Sequence, residues 1–192
     1  MFTRRIIRHI LPLVICLFSA GNAVAAAPSS QTLERGKSSV TFRLNSTLFN
    51  VTGRLSDFSA VLSPGAAGLS GARLKARFNI HSVEFDPMPA EKLFMLKGML
   101  ALVRDPYVDF ESTAIKVIDG KTISVDGMGS YERRKHPISF VAQLRENGPL
   151  RTRLTGSIKS DALSMPAVKS IEQFCGTFSG SAAFDLMFSA RP

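Results

Sequence analysis

The sequence has no tryptophan, two tyrosines, two cysteines and three histidines among its 192 residues. Each scarcity closes off a chemistry. Without tryptophan, with so little tyrosine, and with no arginine cluster interleaved with aromatics, there is no platform for stacking bases, so nucleic acid is excluded as a partner. His81 and His136 each stand without a second His or a Cys at ligand spacing, which argues against a metal site. The catalytic signatures fail as well. Gly120-Lys121-Thr122 and Gly36-Lys37-Ser38 look like the end of a P-loop, but Ile115 and Gln31 stand where the first glycine is needed. Gly176-Thr177-Phe178-Ser179-Gly180 misses the nucleophile-elbow pattern by one residue. No nucleophile–base pair is visible, and no cofactor motif is present, so an enzyme is not expected.

Long hydrophobic runs are also missing. The apolar run Ile10–Ala20 is far short of the roughly twenty residues that span a bilayer. It follows Arg4, Arg5 and Arg8 and precedes Ala23-Val24-Ala25, which together make a basic n-region, an h-region and a small-residue cleavage site. Residues 1–25 are therefore expected to be a cleaved secretory leader, leaving 26–192 as one domain in the periplasm. Cys16 lies inside the h-region behind Ile15, where a lipobox wants a small residue, so lipidation is not expected. With Cys16 removed, Cys175 is alone and no disulfide can form within the mature chain. The leader carries three arginines and no acid, so its loss takes the net charge from +9 to +6.

What is present is alternation. Val40, Phe42 and Leu44 alternate with Thr41 and Arg43; Leu74, Ala76, Phe78 and Ile80 alternate with Arg73, Lys75, Arg77 and Asn79. Similar runs occupy 123–131, 138–144, 154–160 and 182–188, separated by turn signals at Pro64-Gly65, Gly68, Asp119-Gly120, Asn147-Gly148-Pro149 and Gly180. Short alternating strands joined by polar turns predict an antiparallel sandwich or barrel. The Arg73, Lys75 and Arg77 face reads as solvated, or as a surface for anionic lipid head groups. Asp109 and Glu111 share one strand face and read as a solvated edge.

The stretch Val51-Thr52-Gly53-Arg54-Leu55-Ser56-Asp57-Phe58-Ser59 resembles the V-x-G-x-F-x-D-F-x-G segment of the YceI-like, polyisoprenoid-binding family of exported bacterial proteins. Ser38-Ser39-Val40-Thr41-Phe42 is similar to that family's opening strand, and Asp105–Phe110 to its Y-P-x-x-x-F segment, shifted by one residue. Tyr131–Phe140 is similar to I-x-G-V-T-K-P-V-x-L with Pro137 kept, and Ile158–Met165 to I-x-R-S-x-F-G-M. The resemblance covers about 33–190. It implies an all-β fold with a short helical segment, an eight-stranded antiparallel lipocalin-like barrel. It also implies a long isoprenoid or alkyl-chain ligand, such as a quinone tail, with no cofactor.

Eight strands leave an interior just wide enough for packed side chains or one slender ligand. The residues expected to face inward are Phe42, Leu44, Val51, Leu55, Phe78, Ile80, Phe140, Phe184, Leu186 and Phe188. Phe and Leu dominate them, and either a filled core or a ligand cavity fits that composition; the resemblance favours the cavity. The family's polar segment near the barrel mouth is replaced here by an apolar one, Ala90–Val103. On a helix, Leu93, Leu96, Leu100 and Val103 share a face, and Phe94, Met95, Met99 and Leu102 widen it. Phe94, Met95 and Met99 are expected to form a lid over the ligand, with an ordinary core helix as the alternative. Partners would be the lipid and, transiently, a membrane surface. The competing function is an interaction protein with a filled barrel that docks its basic face on a membrane enzyme or an anionic lipid surface.

Overall fold

The computed structural model describes residues 29–46, 50–65, 68–101, 103–146, 151–159 and 178–190; the side chains of Ser46, Met99, Glu146 and Phe178 lie outside the description. The expected leader with Cys16, the Asn147-Gly148-Pro149 turn, Leu102, Cys175 and the Ser160–Met165 end of the last motif all fall outside the described residues.

Three long strands are bent. The first is β1 (Gln31–Leu33), which passes through a 3-10 turn at Arg35–Lys37 into β2 (Ser39–Ser46). The second is β3 (Asn50–Leu55) followed, after Ser56 and Asp57, by β4 (Phe58–Gly65). The third is β5 (Gly68–Asn79), a 3-10 turn at Ile80–Ser82, and β6 (Val83–Phe85). Helix α1 (Ala90–Ala101) comes next. Five unbroken strands then follow: β7 (Tyr107–Asp119), β8 (Thr122–Tyr131), β9 (Arg134–Glu146), β10 (Arg151–Lys159) and β11 (Phe178–Ala190).

All pairings are antiparallel. The ring runs β1-β4-β5-β7-β8-β9-β10-β11 and closes where β11 pairs back on β1, from Gln31 opposite Ala190 to Leu33 opposite Phe188. This is the eight-stranded barrel. At the other end β11 carries β2, which pairs β3, which pairs β6, so the sheet flares away from the ring there. Helix α1 packs against the flared sheet: buried Leu96 meets Val51, with Phe42, Leu44, Phe85 and Met88 around them. The ring of His81 pairs its Nε2 with the Leu100 carbonyl at 3.1 Å, which ties the helix to the third bend.

One residue links the bends. Asp57 Oδ1 lies 3.4 Å from Arg35 Nη2 at the first bend, and its Oδ2 accepts from Asn79 Nδ2 at 3.2 Å at the third. Its own N–H donates to Ser82 Oγ at 2.9 Å. Bending all three strands at one level therefore leaves few local polar groups without a partner, as burial requires.

Burial follows the alternation. Along β8, Ile123, Val125, Gly127, Gly129 and Tyr131 are buried while their neighbours are half-exposed. On the outer face, Lys75 meets Glu111 at 3.0 Å and Arg77 meets Asp109 at 2.6 Å, a cross-strand pair of ion pairs on a wet surface. Exposed pairs of this kind contribute little stability, but they neutralise most of the Arg73–Lys75–Arg77 stripe. Gly180 is not a turn: β11 runs through it, opposite Leu44. No helix among the described residues is long and apolar enough to cross a membrane.

Candidate functional site

Half of the barrel interior is solid and half is not. Phe188, Leu62, Ile123, Leu154 and Val125 are fully buried and pack the closed end. Towards the flared end the phenyl rings lie along the wall, because glycines stand where side chains would push them inward. A Cβ at Gly127 would sit 2.5 Å from Phe110 Cζ, one at Gly156 2.7 Å from Phe184 Cζ, and one at Gly53 2.7 Å from Phe42 Cζ. Phe184 and Phe42 lie directly across the ladder from their glycines. A ring over a strand glycine takes up wall rather than lumen. Phe110, Phe140 and Phe184 then form a connected band, with centroids 5.7 Å and 5.4 Å apart in sequence.

Between these walls is a cavity of about 240 Å³. Its lining is Val40, Leu55, Leu74, Ala76, Phe78, Ile80, Val108, Phe110, Ile138, Phe140, Ile158, Ala182, Phe184 and Leu186, with Gly129 and Asp109. The one charged contributor is turned away from it: the Asp109 carboxylate accepts from Arg77 Nε at 2.6 Å and Nη2 at 3.1 Å. That hydrogen bond raises the guanidinium pKa of Arg77. Arg77 also lies 5.4 Å from the centre of the Tyr107 ring. Among the described residues, no group of three His, Cys, Asp or Glu is gathered so as to hold a metal ion. An apolar chamber of this kind can exclude water from a hydrocarbon chain and offers no directed hydrogen bond within it.

Of the residues singled out in the sequence, Leu55, Phe78, Ile80, Phe140, Phe184 and Leu186 line this cavity. Phe188 lies deeper, wholly buried in the packed half. Phe42, Leu44 and Val51 belong to the separate cluster beneath α1. Phe94 is 82% exposed and Met95 39%, so neither contacts the cavity in this conformation; the side chain of Met99 lies outside the description. Among the described side chains the helix buries its Leu93, Leu96 and Leu100 side, because that side packs on the flared sheet and the other meets solvent. Among the lining residues not anticipated, Leu74 and Ala76 precede Phe78 at the same period, and Ile138 precedes Phe140. Ala182 stands two before Phe184. Extending the alternation by one or two steps, and giving small residues weight, would have found these four; Val40, Val108, Phe110, Gly129 and Ile158 line the cavity as well.

No protein-family model and no curated protein sequence matches the chain. Solved structures do. The BcnA protein of Burkholderia cenocepacia superimposes with a TM-score of 0.64 at 15% identity, over 81% of this chain and 98% of that one. A polyisoprenoid-binding domain from Saccharophagus degradans, implicated in plant cell wall breakdown, gives 0.61 at 12% identity over 85% and 99%. The YceI protein of Campylobacter jejuni gives 0.53 at 16% identity over 75% and 87%. The chain has the YceI-like fold. Within this fold the motif that suggested it has structural work to do. Gly53 leaves room for the Phe42 ring, and Asp57 fastens the three bends.

Proposed function

We propose that the protein is an exported, non-enzymatic lipid-binding barrel that holds part of a long isoprenoid or alkyl chain, such as a quinone tail, in the cavity at its flared end. The observation that carries this reading is a chamber lined almost wholly by apolar side chains, its one carboxylate engaged by an arginine on the outside. Similarity to a polyisoprenoid-binding domain supports the ligand class. At about 240 Å³ the cavity is smaller than the roughly 300–1,000 Å³ typical of sites enclosing a drug-sized ligand, so it takes a slender segment while the rest of the chain leaves by the flared end. Affinity then rests on area, on the order of 25 cal/mol per Å² of apolar surface removed from water, less the lost freedom of the chain.

Residues 1–25 act as the export leader and are removed. Native mass spectrometry on protein taken from the osmotic-shock fraction of a Gram-negative host tests both parts. The expected spectrum starts near Ala26 and carries the added mass of a retained apolar lipid. A ligand-free spectrum that stays unchanged after incubation with a long prenol refutes the lipid reading. An intact N-terminus found in the membrane pellet refutes export.

A further inference from the structure

The topology brings two separate surface elements to the open end of the barrel. Asn79 pairs with Tyr107, and Asp109 with Ser130, so the start of β7 and the end of β8 stand beside the third bend and α1. The β8–β9 hairpin, which turns at Glu132 and Arg133 and continues into Arg134 and Lys135, therefore projects from the same end as the helix. On α1, the 3.6-residue repeat puts Phe94, Met95 and Gly98 on the side opposite buried Leu96. Lys97 borders that outer side and Glu91 lies on it, both exposed, while the exposed Lys92 stands one turn before Leu96 on the other side. A phenyl ring left 82% in solvent, beside a half-exposed thioether and bordered by a lysine, is the pattern of a helix that lies in a lipid interface.

The hairpin adds a second, independent observation. Glu132 and Arg133 both have positive φ, 45° and 65°, in a two-residue turn. Such turns favour Asn-Gly, since other residues are strained there. This turn keeps charged side chains at its tip despite the strain, and Arg133, Arg134 and Lys135 are all exposed. Among the described residues, none of Lys92, Lys97, Arg133, Arg134 and Lys135 takes part in an ion pair, whereas the basic stripe on β5 is matched by Asp109 and Glu111. Glu91, Asp105 and Glu132 are the acids nearest this surface in the sequence and leave it net basic once Arg104 is counted.

We infer that the open end of the barrel docks on an anionic lipid bilayer, with Phe94 and Met95 inserted among the head groups and the β8–β9 hairpin held by anionic lipid. Docked this way, the cavity mouth faces the membrane, and a long apolar chain passes between bilayer and barrel without crossing water. The surface adds to the lipid-binding reading without depending on it, because docking is measurable on vesicles that contain no isoprenoid.

The test is co-sedimentation of the purified protein with vesicles of phosphatidylglycerol and phosphatidylethanolamine, compared with pure phosphatidylcholine. Each cation near an anionic surface is worth about 1 kcal/mol, or roughly fivefold in partition. Arg133→Glu with Arg134→Glu should therefore lower partition at least about 25-fold, and Phe94→Ser should lower it several-fold without changing the melting temperature. Lys116→Glu with Lys121→Glu makes the same charge change at the closed end and should leave docking within about twofold of the parent after allowing for net charge. Equal losses from the two double variants overturn the proposal, as does equal binding to both vesicle types. If the hairpin variant fails to fold, unchanged partition of Phe94→Ser overturns the proposal by itself. Native mass spectrometry on the same proteins separates the two readings. Absent docking with lipid retained defeats only this proposal, and absent lipid with docking intact defeats only the carrier reading.

Discussion

Filling the cavity from within is the most direct probe of the barrel interior. Ala76 is buried on β5, lines the cavity and faces Phe110 across the ladder. Ala76→Leu adds three carbons to that space. At about 0.8 kcal/mol per buried methylene the gain has a ceiling of about 2 kcal/mol. For a chain of this size each kcal/mol moves the melting temperature by about 2–4 °C, so delipidated Ala76→Leu should melt about 4–8 °C above the parent. The same variant should retain much less of a long prenol by native mass spectrometry. The stabilised protein is thus the one that binds less, which is the trade-off expected of a binding cavity. A melting temperature that drops by the equivalent of about 1–3 kcal/mol, as overpacking produces, together with unimpaired prenol retention, would refute the assignment of free space at Ala76.

Other variants probe other parts of the molecule. In Gly156→Ala the new Cβ meets the Phe184 ring at 2.7 Å and the Val141 carbonyl at 3.0 Å; the ring must swing into the lumen, and urea melts should show a loss of about 1–3 kcal/mol. Leu96→Ala removes the one buried side chain among those described on α1 and should cost about 2–5 kcal/mol, with hydrogen exchange speeding up first in the helix and in β6. Stability should also fall in acid. Glu34, Glu84 and Asp119 hold their carboxyls below the usual range, chiefly through hydrogen bonds from Lys37, from Arg54 and from the Lys121 backbone N–H respectively. Because their folded pKa values lie below the unfolded ones, their contribution is present above about pH 4 and disappears as pH drops through the folded values. Melting temperatures recorded from pH 6 down to pH 3 should fall, and the fall should be shallower in Glu84→Gln; an identical slope would remove Glu84 from the account.

Much of the barrel was legible because alternation is a local property. Leu74, Ala76 and Phe78 face one way and Lys75 and Arg77 the other whatever the rest of the chain does, and that is enough to place them on a wall. The bends were not legible. Leu55-Ser56-Asp57-Phe58 reads as one continuous motif, and only the contacts of Asp57 with Arg35, Asn79 and Ser82, all distant in sequence, reveal a change of direction. The orientation of α1 was equally hidden. Phe94 and Met95 carry the same hydrophobic signal as Leu93 and Leu96, and composition cannot say which side of so apolar a helix meets protein. Free space is the hardest feature to read, since it depends on residues that do not fill it: Gly127 and Gly156 hold rings to the wall, and Ala76 and Ala182 stop short of the centre.

The seam between β1 and β11 sets a schedule for folding. Gln31 lies opposite Ala190 and Leu33 opposite Phe188, so the ring cannot close until nearly the last described residue has been made. Until β11 arrives, β1 lacks that neighbour. During this interval hairpins such as β7–β8 and β8–β9 can form from adjacent sequence, but the flanking strands present unsatisfied edges. Closure then joins segments of large sequence separation, the kind of contact that makes β proteins slow to fold. The step that completes the wall of the apolar chamber is therefore a late one, and a partner that guards open strand edges would act before it.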